Sequence, residues 1–215
     1  MLHYKTIPVT AFEQNCSLLW DDATPAPREA AVIDPGGDLD RVLAEAQRLK
    51  LKITQIWLTH AHIDHAGGAG ALAQQLAIPV IGPHQGDADW IAALPQQGAM
   101  FGLPSAQAFT PARWLADGDT VQVGGHAIRV RHCPGHTPGH VVYHAPEIGR
   151  AFVGDVLFAG SIGRTDLPGG NHQQLIDSII TRLWPMGDAT VFIPGHGPES
   201  SFGQERRSNP FVGGT

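Results

Sequence analysis

The stretch His60-Ala61-His62-Ile63-Asp64-His65 sets four potential metal ligands within six residues. Residues 53–59 before it (ITQIWLT) are β-branched and apolar with partial alternation, which predicts a buried strand. Residues 66–77 after it are rich in Ala, Leu and Gln, which predicts a helix, so the motif occupies a strand-to-helix loop. Side chains two apart on extended backbone point the same way, so His60 and His62 can converge on one cation while the turn redirects Asp64 and His65 towards a second. Imidazole mixed with carboxylate suits zinc or another borderline divalent metal. The competing reading is a histidine-rich surface loop in a chain that holds twelve histidines; four potential ligands at this spacing favour the metal site.

Four ligands do not close two metal sites, so further His or Asp residues are expected at other strand ends. Three candidates occur. His136 lies in Cys133-Pro134-Gly135-His136-Thr137-Pro138-Gly139-His140, directly after the apolar alternation of residues 128–131. Asp155 follows the short apolar run Ala151-Phe152-Val153-Gly154, and His196 sits in Ile193-Pro194-Gly195-His196-Gly197-Pro198 after Thr190-Val191-Phe192. A rigid sheet presents such strand-end residues to a cleft.

Around these motifs stand others: residues 7–12 (IPVTAF) with Gln14-Asn15-Cys16, residues 32–37 (VIDPGG), Gly163-Arg164-Thr165-Asp166, and Glu205-Arg206 with Asn209-Pro210-Phe211. The ordered series, which spans nearly the whole chain, resembles the metallo-β-lactamase fold hydrolases, and in detail is most similar to bacterial single-domain type II glyoxalases (hydroxyacylglutathione hydrolase-like proteins). That resemblance implies a four-layer αβ/βα sandwich with metals at one edge of two facing sheets; composition and periodicity alone support only a mixed α and β domain. It further implies one metal bound by His60, His62 and His136, a second bound by Asp64, His65 and His196, and Asp155 bridging them. The implied cofactors are two divalent ions, zinc first, with iron or manganese as the other candidates.

The chemistry expected of such a site is hydrolysis of S-lactoylglutathione or a related acyl thioester by metal-bound hydroxide, with Asp64 orienting the hydroxide and taking its proton. A thiol with a pKa of about 8.5 leaves readily as thiolate, so no dedicated acid is required. Arg164 falls where larger relatives carry a basic residue for glutathione and is expected to pair with a substrate carboxylate, against the plain alternative of a structural salt bridge. Two-domain type II glyoxalases add a C-terminal helical domain that grips glutathione. The chain stops at Thr215, so glutathione binding is expected to be reduced or differently built. Three rival functions follow from the same motifs: an iron-dependent glutathione persulfide dioxygenase, a hydrolase of another ester or amide, and a non-catalytic metal-binding module. A β-lactamase is disfavoured because the position of Asp155 is typically not a carboxylate in those enzymes.

Length, charge and the remaining residues narrow the field. With 215 residues and no repeat, charge run or low-complexity linker, residues 1–215 are expected to form a single hydrolase domain. Net charge is −6 with scattered Lys and Arg, which argues against nucleic acid as a partner and against an RNA phosphodiesterase. Two cysteines make no disulfide framework, no apolar run reaches bilayer length, and the first residues read as a strand rather than a secretion signal, so a soluble cytoplasmic protein is expected; a small-molecule thioester as its substrate is what the resemblance implies. Helices are predicted at 39–50 and 173–183, strands at 2–9, 16–20 and 30–33, and a hairpin over 120–130 turning at Gly124-Gly125. Cys133 reads as a small buried apolar residue. His140 reads as structural or as a support for the ligands. His3, His84, His126, His132, His144 and His172 are expected to be exposed or satisfied. Asp34 is either a turn former or a carboxylate that orients a ligand histidine. Residues 85–110, with Trp90, Met100, Phe101, Leu103 and Phe109, offer a cleft wall or lid, or ordinary packing.

Overall fold

The computed structural model describes residues 1–23 and 25–214. Its first sheet has five strands in the order β1 (Leu2–Val9), β2 (Gln14–Asp21), β3 (Arg28–Ile33), β4 (Leu51–Trp57) and β5 (Val80–Ile81). The β1 to β3 meander is antiparallel, then the chain crosses over through α1 (Leu39–Arg48) so that β4 pairs parallel to β3. A second crossover, through α2 (Ile63–Ala66) and α3 (Ala69–Leu76), brings β5 parallel to β4. After α4 (Ala88–Ala92) and α5 (Leu94–Phe101) the chain builds the second sheet from β6 (Thr120–Val123), β7 (His126–His132), β8 (Val141–Ala145) and β9 (Arg150–Gly154). The small ribbon of β10 (Leu157–Phe158) and β11 (Ser161–Ile162) and the helix α6 (His172–Ser178) follow, and β12 (Val191–Pro194) and β13 (Ser200–Ser201) complete that sheet before α7 (Phe202–Ser208). Spatial order in the six-stranded sheet is β13-β12-β9-β8-β7-β6, with β12 parallel to β9 and the other pairs antiparallel.

Three apolar clusters stack these elements into four layers. Leu19, Ala31, Ile33 and Trp57 from the first sheet meet Val121, Ile128, Val130, Tyr143 and Phe152 from the second, with the Trp57 and Tyr143 rings stacked 5.3 Å apart. The other face of the first sheet carries Leu18, Val32 and Ile56 against Val42, Ala46, Leu72 and Leu94 of the helices. The outer face of the second sheet carries Val142, Val153 and Phe192 against Leu175, Ile179, Leu183 and Phe202. The result is the αβ/βα sandwich that the motif series implies. Strand patterning fits the layering. The hairpin of β6 and β7 turns at Gly124-Gly125 as expected, and β6 alternates exposed and buried residues, whereas all five residues of the interior strand β8 are buried. Among the described residues no helix is long and apolar enough to cross a membrane.

Several element boundaries differ from expectation, each for a visible reason. Strand 53–59 is shifted to Leu51–Trp57, because the amide and hydroxyl of Thr59 both donate to the Asp34 carboxylate (2.7 and 2.6 Å) rather than joining a ladder. Helix 66–77 is broken at Gly67-Gly68. The Asp34-Pro35-Gly36 turn passes close there: Gly68 N–H donates to the Pro35 carbonyl at 3.0 Å, and a Cβ on Gly67 would clash with the Gly36 carbonyl. Segment 173–183 is α-helical over His172–Ser178 and continues as a wider π turn over Ile179–Leu183, where the Thr181 hydroxyl donates to the Asp177 carbonyl at 2.7 Å.

Candidate metal centre

Strand ends of both sheets deliver the predicted residues to one place. The loop after β4 carries His60 and His62, the short helix α2 that follows it carries Asp64 and His65, the loop after β7 carries His136, and Asp155 and His196 follow the ends of β9 and β12. Three sets of residues emerge that could each hold a metal ion, the candidate donor atoms of each lying within 4.8 Å of one another: His60, His62 and His136; His60, His65 and Asp155; and Asp64, His65 and His196. Asp155 sits between the imidazoles of both outer sets. Its Oδ1 is 3.3 Å from His65 Nε2, and its Oδ2 is 3.5 Å from His136 Nε2 and 3.8 Å from His196 Nε2.

Ring orientation is fixed from behind. His65 Nδ1 donates to Asp34 Oδ2 at 2.9 Å, His136 Nδ1 to the Arg164 carbonyl at 2.8 Å and His196 Nδ1 to the Phe12 carbonyl at 3.0 Å. His60 Nδ1 lies 3.1 Å from the Thr59 hydroxyl, which itself donates to Asp34. Asp34, left open between two roles by the sequence, thus orients His65 and closes its turn with a left-handed backbone (φ 51°). Each such contact commits Nδ1 and leaves Nε2 facing inward. The Nε2 atoms of His60, His62, His65 and His136 and Oδ1 of Asp155 are buried with no hydrogen-bond partner. A buried polar atom without a partner costs about 1–3 kcal/mol, a cost that a bound cation accepting these lone pairs removes, so the residues fit a divalent metal.

Charge divides the cluster in two. Burial first, and then the neighbouring imidazoles, hold His60 well below the usual histidine range, and burial with His136 draws His62 down to about 3. His136 is lowered by burial as well. Burial also acts against protonation of His65 and His196, but Asp155 and Asp64 prevail at His65 and the Asp64 hydrogen bond (3.0 Å) prevails at His196, so both are raised. Burial opposes ionisation of Asp64 and Asp155, and His65 outweighs it, so both carboxyls lie below the usual range. The first trio is therefore neutral, and the second balances carboxylate against imidazolium; cations would take over that positive charge.

The remaining expectations resolve individually. His140 is fully buried and stacked on His60 at 4.7 Å, and its Nε2 accepts the Asp155 N–H at 3.1 Å, so it supports the Asp155 backbone. Cys133 is buried. His3 pairs with Asp22, His126 with Asp21 and Glu147, and His84 stacks on His132 at 4.0 Å. The guanidinium of Arg164 is exposed but already bound in a fork to Asp166 (2.8 Å twice), while its carbonyl holds His136. In the 85–110 segment the Trp90 ring stands edge-on to His62 at 4.5 Å and borders a cavity of about 310 Å³ with Pro138 and Pro168. Met100 and Phe101 are exposed, and Phe101 packs on Phe12.

Sequence reasoning missed the residues that hold the loops together. Asn15 ties the His196 loop to the first sheet: its amide donates to the Gly195 carbonyl at 2.7 Å and its side chain to the Pro194 and Gly197 carbonyls at 3.0 Å each. The buried Gln14 forms an isolated bridge with His196. Asp87, fully buried, accepts three hydrogen bonds from the two histidine loops; burial pushes its carboxyl up to about 6, against those hydrogen bonds. The Gln14-Asn15 pair was visible as a motif, but nothing local marked Asp87.

Comparison with known proteins agrees with this architecture. A family model described as the metallo-beta-lactamase superfamily matches residues 9–196. The hydroxyacylglutathione hydrolase GloC of Haemophilus influenzae is 44% identical over 212 residues, covering 98% of each chain. The crystal structure of the BLEG-1 B3 metallo-beta-lactamase aligns with a TM-score of 0.88 at 36% identity, covering 99% of this chain and 100% of that one. The structure of TTHA1623 in a di-iron-bound form aligns with a TM-score of 0.86 at 35% identity, covering 97% and 100%.

Proposed function

The chain belongs to the metallo-beta-lactamase superfamily and is a metal-dependent hydrolase, and from that premise we propose that it hydrolyses S-lactoylglutathione or a related acyl thioester in the manner of a type II glyoxalase. The observation that carries this reading is the Asp155 carboxylate between two ligand sets, within 3.3 to 3.8 Å of three ligand imidazoles. We assign His60, His62 and His136 to one metal and Asp64, His65 and His196 to the other, with Asp155 shared. The full-length likeness to a hydroxyacylglutathione hydrolase supports the thioester class. The His and Asp donor set makes zinc the first candidate, and the likeness to a protein solved with two irons supports iron as the second.

Two divalent cations bound there would supply Lewis-acid polarisation of the thioester carbonyl and acidify water. The chain's own residues do the rest. Asp64, held ionised by His65 and His196, takes the proton of the attacking water. Asp34 and the carbonyls of Arg164 and Phe12 keep the imidazole Nε2 atoms turned inward. The thiolate, from a thiol with a pKa of about 8.5, departs without a protein acid. Trp90 and the adjoining cavity wall screen the His62 side of the cleft. Arg164 anchors a substrate carboxylate by exchanging its exposed partner Asp166, a pair of small net worth in water. Arg164→Ala keeps the carbonyl that holds His136, so it is expected to raise KM for S-lactoylglutathione severalfold while kcat and metal content stay unchanged. An unaltered KM removes Arg164 from the substrate site.

The test of the whole reading is release of thiol from S-lactoylglutathione by purified protein, before chelation, after chelation, and after zinc or iron is restored. Turnover is expected to vanish and return. A metal-replete protein that leaves thioesters intact but opens a β-lactam, or consumes oxygen with glutathione persulfide, would overturn it.

A further inference from the structure

Asp87 lies in the 85–110 segment, far in sequence from every ligand, yet its carboxylate joins the two loops that carry the His60, His62 and His136 trio. Its Oδ2 accepts the Ala61 N–H at 3.0 Å, from the residue between His60 and His62, and the Thr137 hydroxyl at 2.9 Å, from the residue after His136. Its Oδ1 accepts the Gly139 N–H at 2.6 Å. Two further features bring the segment into place. The His84 amide donates to the Gly139 carbonyl at 3.0 Å, and any side chain at Gly86 or Gly139 would run into the opposing loop. None of the three donors belongs to the Asp64, His65 and His196 trio, which has its own supports in Asp34, Phe12 and Asn15.

We propose that Asp87 is a positioning residue for one metal only, holding the His60 and His62 loop at a fixed distance from the His136 loop so that their three Nε2 atoms converge. This inference rests on the two-metal reading above. Asp87 reaches no substrate; it acts through Ala61, Thr137 and Gly139. In Asp87→Asn the shape is kept, but one oxygen becomes an NH₂ group. Whichever way the amide turns, that NH₂ faces at least one N–H or O–H that needs an acceptor, so the clamp opens on one side.

The experiment is a two-site competition titration of the zinc-loaded protein against a chromophoric chelator, run beside thermal unfolding and repeated with cobalt, whose visible spectrum reports ligand geometry. The unaltered protein should release two equivalents. Asp87→Asn should hold one of them as before and bind the other about 10- to 100-fold more weakly, the range typical of losing a support behind a ligand. Thr137→Val, which removes one donor to the same carboxylate, should weaken the same equivalent by less and decides the matter if Asp87→Asn does not fold. Two equivalents retained at unchanged affinity in both variants would overturn the proposal, as would equal weakening of both in step with the unfolding temperature, which marks a general structural role. Fewer than two equivalents in the unaltered protein would instead refute the two-metal reading itself.

Discussion

Asp155→Ala is expected to lower kcat/KM for thioester hydrolysis by at least about 10³-fold while leaving the fold in place. Asp155 supplies the only carboxylate in the cluster within 4 Å of the imidazoles of His65, His136 and His196 at once, among the described residues. Without it, two cations held by the outer trios would lose the negative charge between them, and their repulsion would rise in a site shielded from water. Lewis-acid polarisation contributes several kcal/mol, and each 1.36 kcal/mol is about tenfold in rate, which sets the size of the expected loss. Folding should survive, because the backbone contacts of residue 155 remain: its N–H still donates to His140, and His65 stays held by Asp34. Metal per chain should fall from two equivalents to one or fewer, with the far-ultraviolet circular dichroism unchanged. Asp155→Asn, which keeps the shape and removes the charge, should fall nearly as far. Two retained metals with near-normal turnover in either variant would exclude Asp155 as the shared ligand.

That one residue can be singled out from a sequence reflects what local pattern encodes. His60 to His65 declared themselves by spacing, and His136, Asp155 and His196 by standing at the ends of apolar runs, since a strand end fixes where a side chain emerges. The hairpin of β6 and β7 was legible from alternation about Gly124-Gly125. Strands β5, β10, β11 and β13 were not, because two residues carry no period. The break in the helix after His65 had a signal in Gly67-Gly68, but its cause, the passing Asp34-Pro35-Gly36 turn, lies far upstream, Gly36 against Gly67 and Pro35 against Gly68. Asp87 was invisible for the same reason: its partners stand 26, 50 and 52 residues away, and a lone Asp among Gln85, Gly86 and Asp89 reads as a solvated turn. The candidate ligands follow from element ends, while the groups that hold them in register follow from tertiary contact alone.

Gly195→Ala is expected to disrupt the site nearly as thoroughly without touching a ligand. Gly195 precedes His196 at the end of β12, where its N–H donates to the Gly154 carbonyl at 2.7 Å and its carbonyl accepts from Asn15 at 2.7 Å. Those two bonds fix the residue between both sheets, so its backbone has no room to retreat. A Cβ built there would run into Asp155 Oδ1 and would lie 2.6 Å from His65 Cε1 and 3.1 Å from His65 Nε2. The single added methyl would thus enter the point where the shared carboxylate and a ligand imidazole face one another. Its backbone angles lie outside the left-handed region that favours glycine, so the penalty is steric. Overpacking of this kind costs typically about 1–3 kcal/mol, which a folded sandwich with three apolar clusters can absorb. Asp155 and His65 must then move apart, and the Asp64, His65 and His196 trio loses its geometry together with the carboxylate. The expected result is a folded protein, lower in unfolding temperature by a few degrees, that holds at most one metal weakly and turns over thioester about 10³-fold more slowly. Gly197→Ala is the control: two residues away, its added methyl meets open space, so metal content should be normal despite some backbone strain at φ 75°. If Gly195→Ala retains two metals at normal affinity, the donor atoms do not converge beside residue 195, and the placement of Asp155 between the two trios is wrong.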